Sequence, residues 1–385
     1  MNTLVWSFAT LALSFDCGKA ASYDNLKMEL VQVLFRHGAR TPLARSLDFY
    51  TGANRSIYEP WGIGVLTNVG KQQAHNLGLF LRSRYRHHLS IDYKAEELYA
   101  YSSVEDRTKT TMELVLAGLY PPTAGTIWNS SLLWSPVPFQ CIPKQLDVIL
   151  RGFQTPKFLR LLELVRNSTE YRRRHERFAE ALSLLDEKTG VKATANFSTL
   201  TYIFDVLYAN EYIDAALPDW YTPKIRETLL EVQRQEYDDY VRTQEMRAIG
   251  IGFLARTLLE NMNLNETKNN PRKIYLYSGH ESDLALFTRV HGIREFSYPH
   301  FGDALIFEKW RDPKDEVYVR LLAWRGNENL LTLKLGRHNN FCPIKDYLKI
   351  VTPFMLHDNG VDDILKEYSL TQLKSFLYED TVVTG

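Results

Sequence analysis

Between residues 30 and 35 the chain places Leu30, Val31, Val33, Leu34 and Phe35 almost back to back, then stops at Arg36-His37-Gly38. A strand of that composition is apolar on both faces and needs cover on both, as the interior strands of parallel sheets have. The succession recurs along the chain. Residues 69–89 carry a helical period at Leu77, Leu81 and Tyr85. Residues 98–101 read as a second strand, running into Ser102-Ser103 and then a helix over 106–119 that Pro121-Pro122 ends. Further strands are predicted over 273–277, 304–310, 316–324 and 330–335, with a helix over 282–290. Strand, loop and helix in alternation predict an α/β fold, a mostly parallel sheet flanked by helices. Over about 155–264 the pattern is helical throughout, with Ser198 as an N-cap and Thr222-Pro223 as a cap with first-turn proline. That stretch predicts a smaller helical cap inserted into one domain covering 23–385.

Lys and Arg number 46 and Asp and Glu also 46, so the formal charge is zero and no long run of one sign appears. A chain so balanced lacks the basic footprint of a nucleic-acid or anionic-membrane binder. Residues 4–15 form an apolar run followed by Gly18, Ala20, Ala21 and Ser22, which predicts a signal peptide over 1–22. The run is shorter than the ~20 residues that span a bilayer, so a secreted product without a stable membrane anchor is expected, a lysosomal one being the second choice. Sequons at Asn54, Asn129, Asn167, Asn196 and Asn265 agree with glycosylation on that route. Removing Cys17 with the signal leaves Cys141 and Cys342. These are either one disulfide or two buried free thiols, which spacing alone does not decide.

Chemistry concentrates where predicted strands end, the place where open α/β sheets form their ligand crevice. After the first strand, Arg36 and Arg40 flank His37. Guanidinium forks suit phosphate oxygens, an imidazole nitrogen between them can attack phosphorus, and Gly38 permits close backbone approach. Arg107 follows the second strand, and His280-Glu281 follows the strand over 273–277. Two other motifs lack their context. Gly250 to Ala255 fits a loose dinucleotide fingerprint, but helical residues precede it. His280-Glu281 opens like a zinc-protease motif, yet Leu284 occupies the second ligand position. The Tyr171 to His175 run of arginines reads as a solvated helix face.

The segments LVQVLFRHGARTP, YSSVEDRTKTTMELVLAGLYPP and YLYSGHESDLALF resemble, in order, the three signatures of the histidine acid phosphatases, and the resemblance covers nearly all of the mature chain. It extends to LTNVGKQQAHNLGLFLRSRY and IWNSSLLWSPVP, which are similar to connecting segments of the family's secreted and lysosomal animal branch. The related phosphoglycerate mutases typically continue RHG with an acidic residue. The resemblance implies a histidine-phosphatase, phosphoglycerate-mutase-like core and no cofactor or metal. It implies His37 as nucleophile forming a phosphohistidine, with Arg36, Arg40, Arg107 and His280 holding the phosphate. It implies an acid directly after the second histidine. The family usually has Asp there and this chain has Glu281, with Asp283 expected to point elsewhere from its helix. Expected substrates are small phosphomonoesters or phosphoproteins, with maximal activity near pH ~5 for a protonated carboxyl donor. Family members dimerise in some cases, so a homodimer is an open expectation. The sparse cysteines fit an arthropod-like secreted enzyme, such as a venom component. Two alternatives accompany this expectation: an inositol-phosphate-preferring phosphatase of the same superfamily, and a catalytically silent binding homologue.

Overall fold

A computed structural model describes residues 25–50, 54–191, 199–264, 270–326 and 330–355. The signal-peptide expectation, Ser198, Asn196 and Asn265 lie outside them. Strand β1 (Lys27–Arg36) leads through α1 (Ala44–Phe49) to α2 (Asn68–Arg84), then β2 (Leu98–Ser102) and α3 (Asp106–Leu119). A helical stretch follows: α4 (Val148–Arg151), α5 (Pro156–Arg166), α6 (Thr169–Glu176), α7 (Ala179–Thr189), α8 (Thr199–Glu211), α9 (Pro223–Tyr240), α10 (Gln244–Arg247) and α11 (Phe253–Asn261). Then come β3 (Ile274–Gly279), α12 (Glu281–Val290), β4 (Ala304–Arg311), β5 (Val317–Trp324), β6 (Leu330–Leu333), β7 (Phe341–Pro343) and α13 (Ile344–Val351).

The sheet runs β2-β3-β1-β4-β5-β6, with β7 beside β5. It corrects the expectation of a mostly parallel sheet. Only β2, β3 and β1 pair in parallel; β4, β5, β6 and β7 add antiparallel pairings. The physical reason lies in the connections. Residues 312–316 between β4 and β5 are too few for the crossover of a dozen or more residues that a parallel neighbour requires, so the chain turns back directly.

Alternation along β1 divides the interior. Val31, Val33 and Phe35 pack with Leu77 and Leu81 of α2 and Met112 and Val115 of α3. Leu30 and Leu34 face the opposite way into a larger core built with α5, α8, α9, α11 and α12. The helical stretch therefore shares one continuous core with that face of the sheet. Its starts use local capping: Thr155 accepts from Phe158 N ahead of Pro156, and Thr222 from Ile225 N ahead of Pro223. Residues 248–252 are a buried π-helical turn entering α11, so the Gly250 to Ala255 fingerprint is helix packing. The Tyr171 to His175 run departs from a fully solvated face. Tyr171 and His175 are buried and Arg174 pairs with Asp239 of α9, because both ends of this one-turn spacing fall on the face that packs.

The possible disulfide is also corrected: Cys141 is an exposed free thiol and Cys342 a buried one. Gln140 bridges to Tyr101 outside the β2 edge, whereas Cys342 lies in β7 beyond β5. The two cysteines are thus six strand spacings apart, roughly 25–30 Å, against the ~7 Å that a disulfide allows between Cα atoms. Of the sequon asparagines, Asn54, Asn129 and Asn167 are exposed. Among the described residues no helix is long and apolar enough to cross a membrane.

Candidate active site

The three parallel strands end level. Phe35 and Ser102 are both registered with Ser278, and Arg36 with Gly279. Their exits therefore present Arg36-His37, Ser102-Ser103 and Gly279-His280 side by side. Backbone bonds fix the arrangement: His37 N donates to Gly279 O at 3.1 Å, Ser103 N to Ser278 O at 3.1 Å, and Gly302 N to His37 O at 3.1 Å. The loop after β1 then passes against the start of α2 with no room for side chains. A Cβ on Gly38 would lie 2.1 Å from Gly70 O, and one on Gly70 would lie 1.9 Å from Ala39 O. Two glycines thus set the approach of loop to helix.

These exits open into a cleft of about 650 Å³ whose wall includes His37, Arg40, Arg107, His280 and Glu281. His37 is buried and sits edge-on to His280, ring centroids 5.6 Å apart. Its Nδ1 is 2.9 Å from Gly38 O. A carbonyl only accepts, so Nδ1 carries the proton and Nε2 keeps a lone pair. Burial, then the charges of Arg107, Arg40 and Arg36, hold this imidazole well below its ordinary pKa, so it stays neutral in mild acid.

Arg40 is anchored from the cap. Its Nη2 donates to Asp205 Oδ1 of α8 at 2.6 Å, and its Nη1 to Thr41 O at 3.1 Å. Arg107 lies 3.5 Å from His280 Nδ1, and burial followed by the nearby Arg40 lowers its pKa to about 10, still charged in neutral or acidic solution. Arg36 sits beneath the cleft wall, 2% exposed. Its guanidinium carbon lies 4.0 Å over the centre of the Phe301 ring, Nη1 donates to Pro299 O at 2.9 Å, and Nε is 3.2 Å from Glu281 Oε2. Glu281 begins α12 with 28% of its side chain exposed. Burial raises its pKa, but Arg36, Arg40 and His280 outweigh that and bring it to about 2, so the carboxyl is ionised when the cleft is empty. Asp283 points away, accepting from His280 N at 2.7 Å, and burial pushes its pKa well up.

Several participants carried no sequence signal. Asp205, Phe301 and Arg151 come from separate elements, and Arg151, with Glu105 from the N-cap of α3, surrounds His280 Nε2. The cleft is further lined by Arg45, Lys144 and Arg166. Among the described residues no three His, Cys, Asp or Glu side chains converge as a metal ion would require.

Residues 27–323 match the model of the histidine phosphatase superfamily, branch 2. Over 342 residues the chain is 27% identical to the lysosomal acid phosphatase of Xenopus laevis, covering 86% of this chain and 78% of that one. It is 30% identical to the venom acid phosphatase Acph-1 of Apis mellifera, over 84% of each chain. Among solved structures, the Hafnia alvei phytase in complex with myo-inositol hexakis sulphate superposes with a TM-score of 0.65 at 16% identity, covering 86% of this chain and 98% of that one.

Proposed function

Because this chain belongs to the histidine phosphatase superfamily, branch 2, we propose that it is a secreted acid phosphatase hydrolysing phosphate monoesters through a phosphohistidine at His37. The observation that carries this reading is the state of His37: a neutral imidazole with Nδ1 tied to Gly38 O and its Nε2 lone pair free, among three guanidiniums. Nε2 attacks phosphorus as the ester P–O bond breaks, and Glu281 gives its proton to the departing oxygen. Water then attacks the phosphohistidine, Glu281 takes a proton from that water, and phosphate leaves with His37 restored. Arg40, Arg107 and His280 hold the non-bridging oxygens, and Arg36 stabilises the same region from below. Each such preorganised donor is worth ~10²–10³ in rate.

A specific observation favours a second reading, a preference for inositol phosphates. Arg166 is paired with Glu236 and Arg151 with Glu105, but Arg45 and Lys144 have no carboxylate partner among the described residues. Two cleft cations without a carboxylate partner among the described residues, Arg45 resting on the Tyr202 ring, suit a substrate with more than one phosphate. The test is hydrolysis of an aryl phosphate, an alkyl phosphate and inositol hexakisphosphate by the secreted protein against pH, with His37→Ala beside wild type. Turnover lost in His37→Ala by ~10⁴-fold or more, with a base-stable, acid-labile phosphoenzyme trapped only in wild type, supports the proposal. Wild type inert on all three esters refutes it and leaves the silent binding homologue.

A further inference from the structure

His280 is enclosed on one side and open on the other. Its Nε2 lies 3.0 Å from Arg151 Nη2, 3.0 Å from Ser103 Oγ and 3.3 Å from Glu105 Oε2. Its Nδ1 has Arg107 Nη2 at 3.5 Å and otherwise faces the cleft. The three neighbours of Nε2 make opposite demands. A guanidinium only donates, a carboxylate only accepts, and a hydroxyl does either. Geometry decides between them. Two guanidiniums reach the ring, and Arg151 on Nε2 at 3.0 Å makes the shorter contact, Arg107 on Nδ1 lying at 3.5 Å, while Glu105 Oε2 makes no hydrogen bond. Arg151 is 4% exposed and further fixed by its ion pair with Glu105 and by Nη1 donating to Gln154 Oε1 at 2.7 Å. Ser103 has the Thr108 hydroxyl at 2.9 Å as an alternative partner for its proton.

Resting on the phosphatase reading above, we propose that Arg151, held by Glu105, is a positioning residue that fixes the His280 tautomer. Nε2 accepts from Arg151, so the ring's single proton sits on Nδ1 and points to where phosphate binds. His280 then donates to phosphate as a neutral ring, without first taking up a proton. An anion between Nδ1–H and Arg107 also satisfies two donors that face each other in the empty cleft. The other charged and titratable groups about the ring are His37 and Glu281, Asp283 on its backbone N–H, and Lys144 beside Arg151 and Arg107. Burial, then the charges of Arg107 and Arg151, bring the ring's pKa down to about 4 against the opposing pull of Glu105.

Arg151→Met removes the donor and leaves the Glu105 carboxylate as the nearest charge to Nε2. The proton then moves to Nε2, and Nδ1 donates only when the ring is fully charged. Binding of inorganic phosphate, titrated calorimetrically from pH 5 to 7.5, is the readout, taken as the ratio of variant to wild type. The expected result is a ratio near one at pH 5 that falls ~10-fold or more by pH 7.5, one charge-assisted hydrogen bond being lost. Arg151→Lys, which keeps a donor, restores the flat ratio. Nitrogen-15 histidine spectra read the tautomer directly and show His280 protonated at Nδ1 in wild type and at Nε2 in Arg151→Met. A ratio reduced equally at all pH values, or unchanged throughout, overturns the proposal, as does a wild-type ring protonated at Nε2. The tautomer measurement stands even if wild type hydrolyses no ester, which separates this failure from failure of the phosphatase reading.

Discussion

Replacing Glu281 by Gln isolates the proton donor while keeping its size and an acceptor oxygen for Arg36. At a pKa of about 2, three units below a working pH of ~5, Glu281 is protonated in only about one empty molecule in a thousand. To act as an acid it must be raised by about three units, which is about 4 kcal/mol. One unit negative charge ~4 Å away at an effective dielectric of ~20 supplies about 4 kcal/mol. A bound phosphate therefore provides the shift itself, since it competes with the carboxylate for the same guanidiniums. Two measurements follow. Alkyl esters, whose leaving oxygen needs the proton, lose ~10²–10⁴ in kcat/KM in Glu281→Gln, while aryl esters with good leaving groups lose little. Phosphate binding near pH 5 takes up a proton in wild type and none in the variant, seen by calorimetry in buffers of different ionisation enthalpy. Equal losses on both ester classes, or no proton uptake in wild type, would refute the reasoning and remove Glu281 from the acid role.

The glycine contact is tested by Gly38→Ala and Gly70→Ala. Each drives a Cβ to about 2 Å from a backbone oxygen, so each is expected to lose ~1–3 kcal/mol or more in denaturant titration together with phosphate binding. Gly125→Ala, with nothing within 4 Å, is the silent control; wild-type behaviour of both site variants would show that the loop yields. Asp303 is 2% exposed and burial raises its pKa to about 7. The folded state thus holds this proton more tightly than the unfolded chain, and stability falls as pH rises from ~4 to 7, on the order of 4 kcal/mol in all. Asp303→Asn should therefore gain on wild type at pH 8 and not at pH 4; an equal difference at both would count against it. Alkylation of the native protein should map to Cys141, with Cys342, buried and raised to about 11, reacting only on unfolding. A Cys141–Cys342 cross-link in a non-reducing digest would contradict the strand order.

His37, Arg40, Arg107, His280 and Glu281 were legible in the chain because each sits within a few residues of a strand end, and strand ends share one edge of the sheet. The arrangement around them was not. Asp205 is 165 residues from Arg40, and nothing near residue 205 says that its helix returns to the cleft. Phe301 and Arg151 likewise come from elements whose local pattern shows only burial. The antiparallel half of the sheet is legible only in its links, since one as short as 312–316 cannot carry a crossover; the apolar runs themselves look alike in both pairings. The cysteines were not readable at all, because their separation across the sheet follows from strand order, which no spacing encodes.

The geometry also locates where acidity acts. Two histidines carry the proposed chemistry, and a nucleophile that took up a proton in mild acid would lose its lone pair. Burial and the surrounding guanidiniums hold His37 well below its ordinary value, and His280, brought to about 4, donates from Nδ1 in either charge state under the proposed tautomer. The arginines remain charged throughout. Among the groups proposed to touch substrate, what changes between pH 7 and 5 is therefore the phosphate ester and Glu281 once an anion has drawn its guanidiniums away, while buried Asp303, at about 7, takes up its proton behind them. The charge that keeps the nucleophile free of a proton in acid is the same charge that binds phosphate, so dispersing it weakens both functions together. Neutralising Arg40 or Arg107 should thus raise the His37 pKa as well as lower phosphate affinity, moving the acid limb of kcat/KM upward.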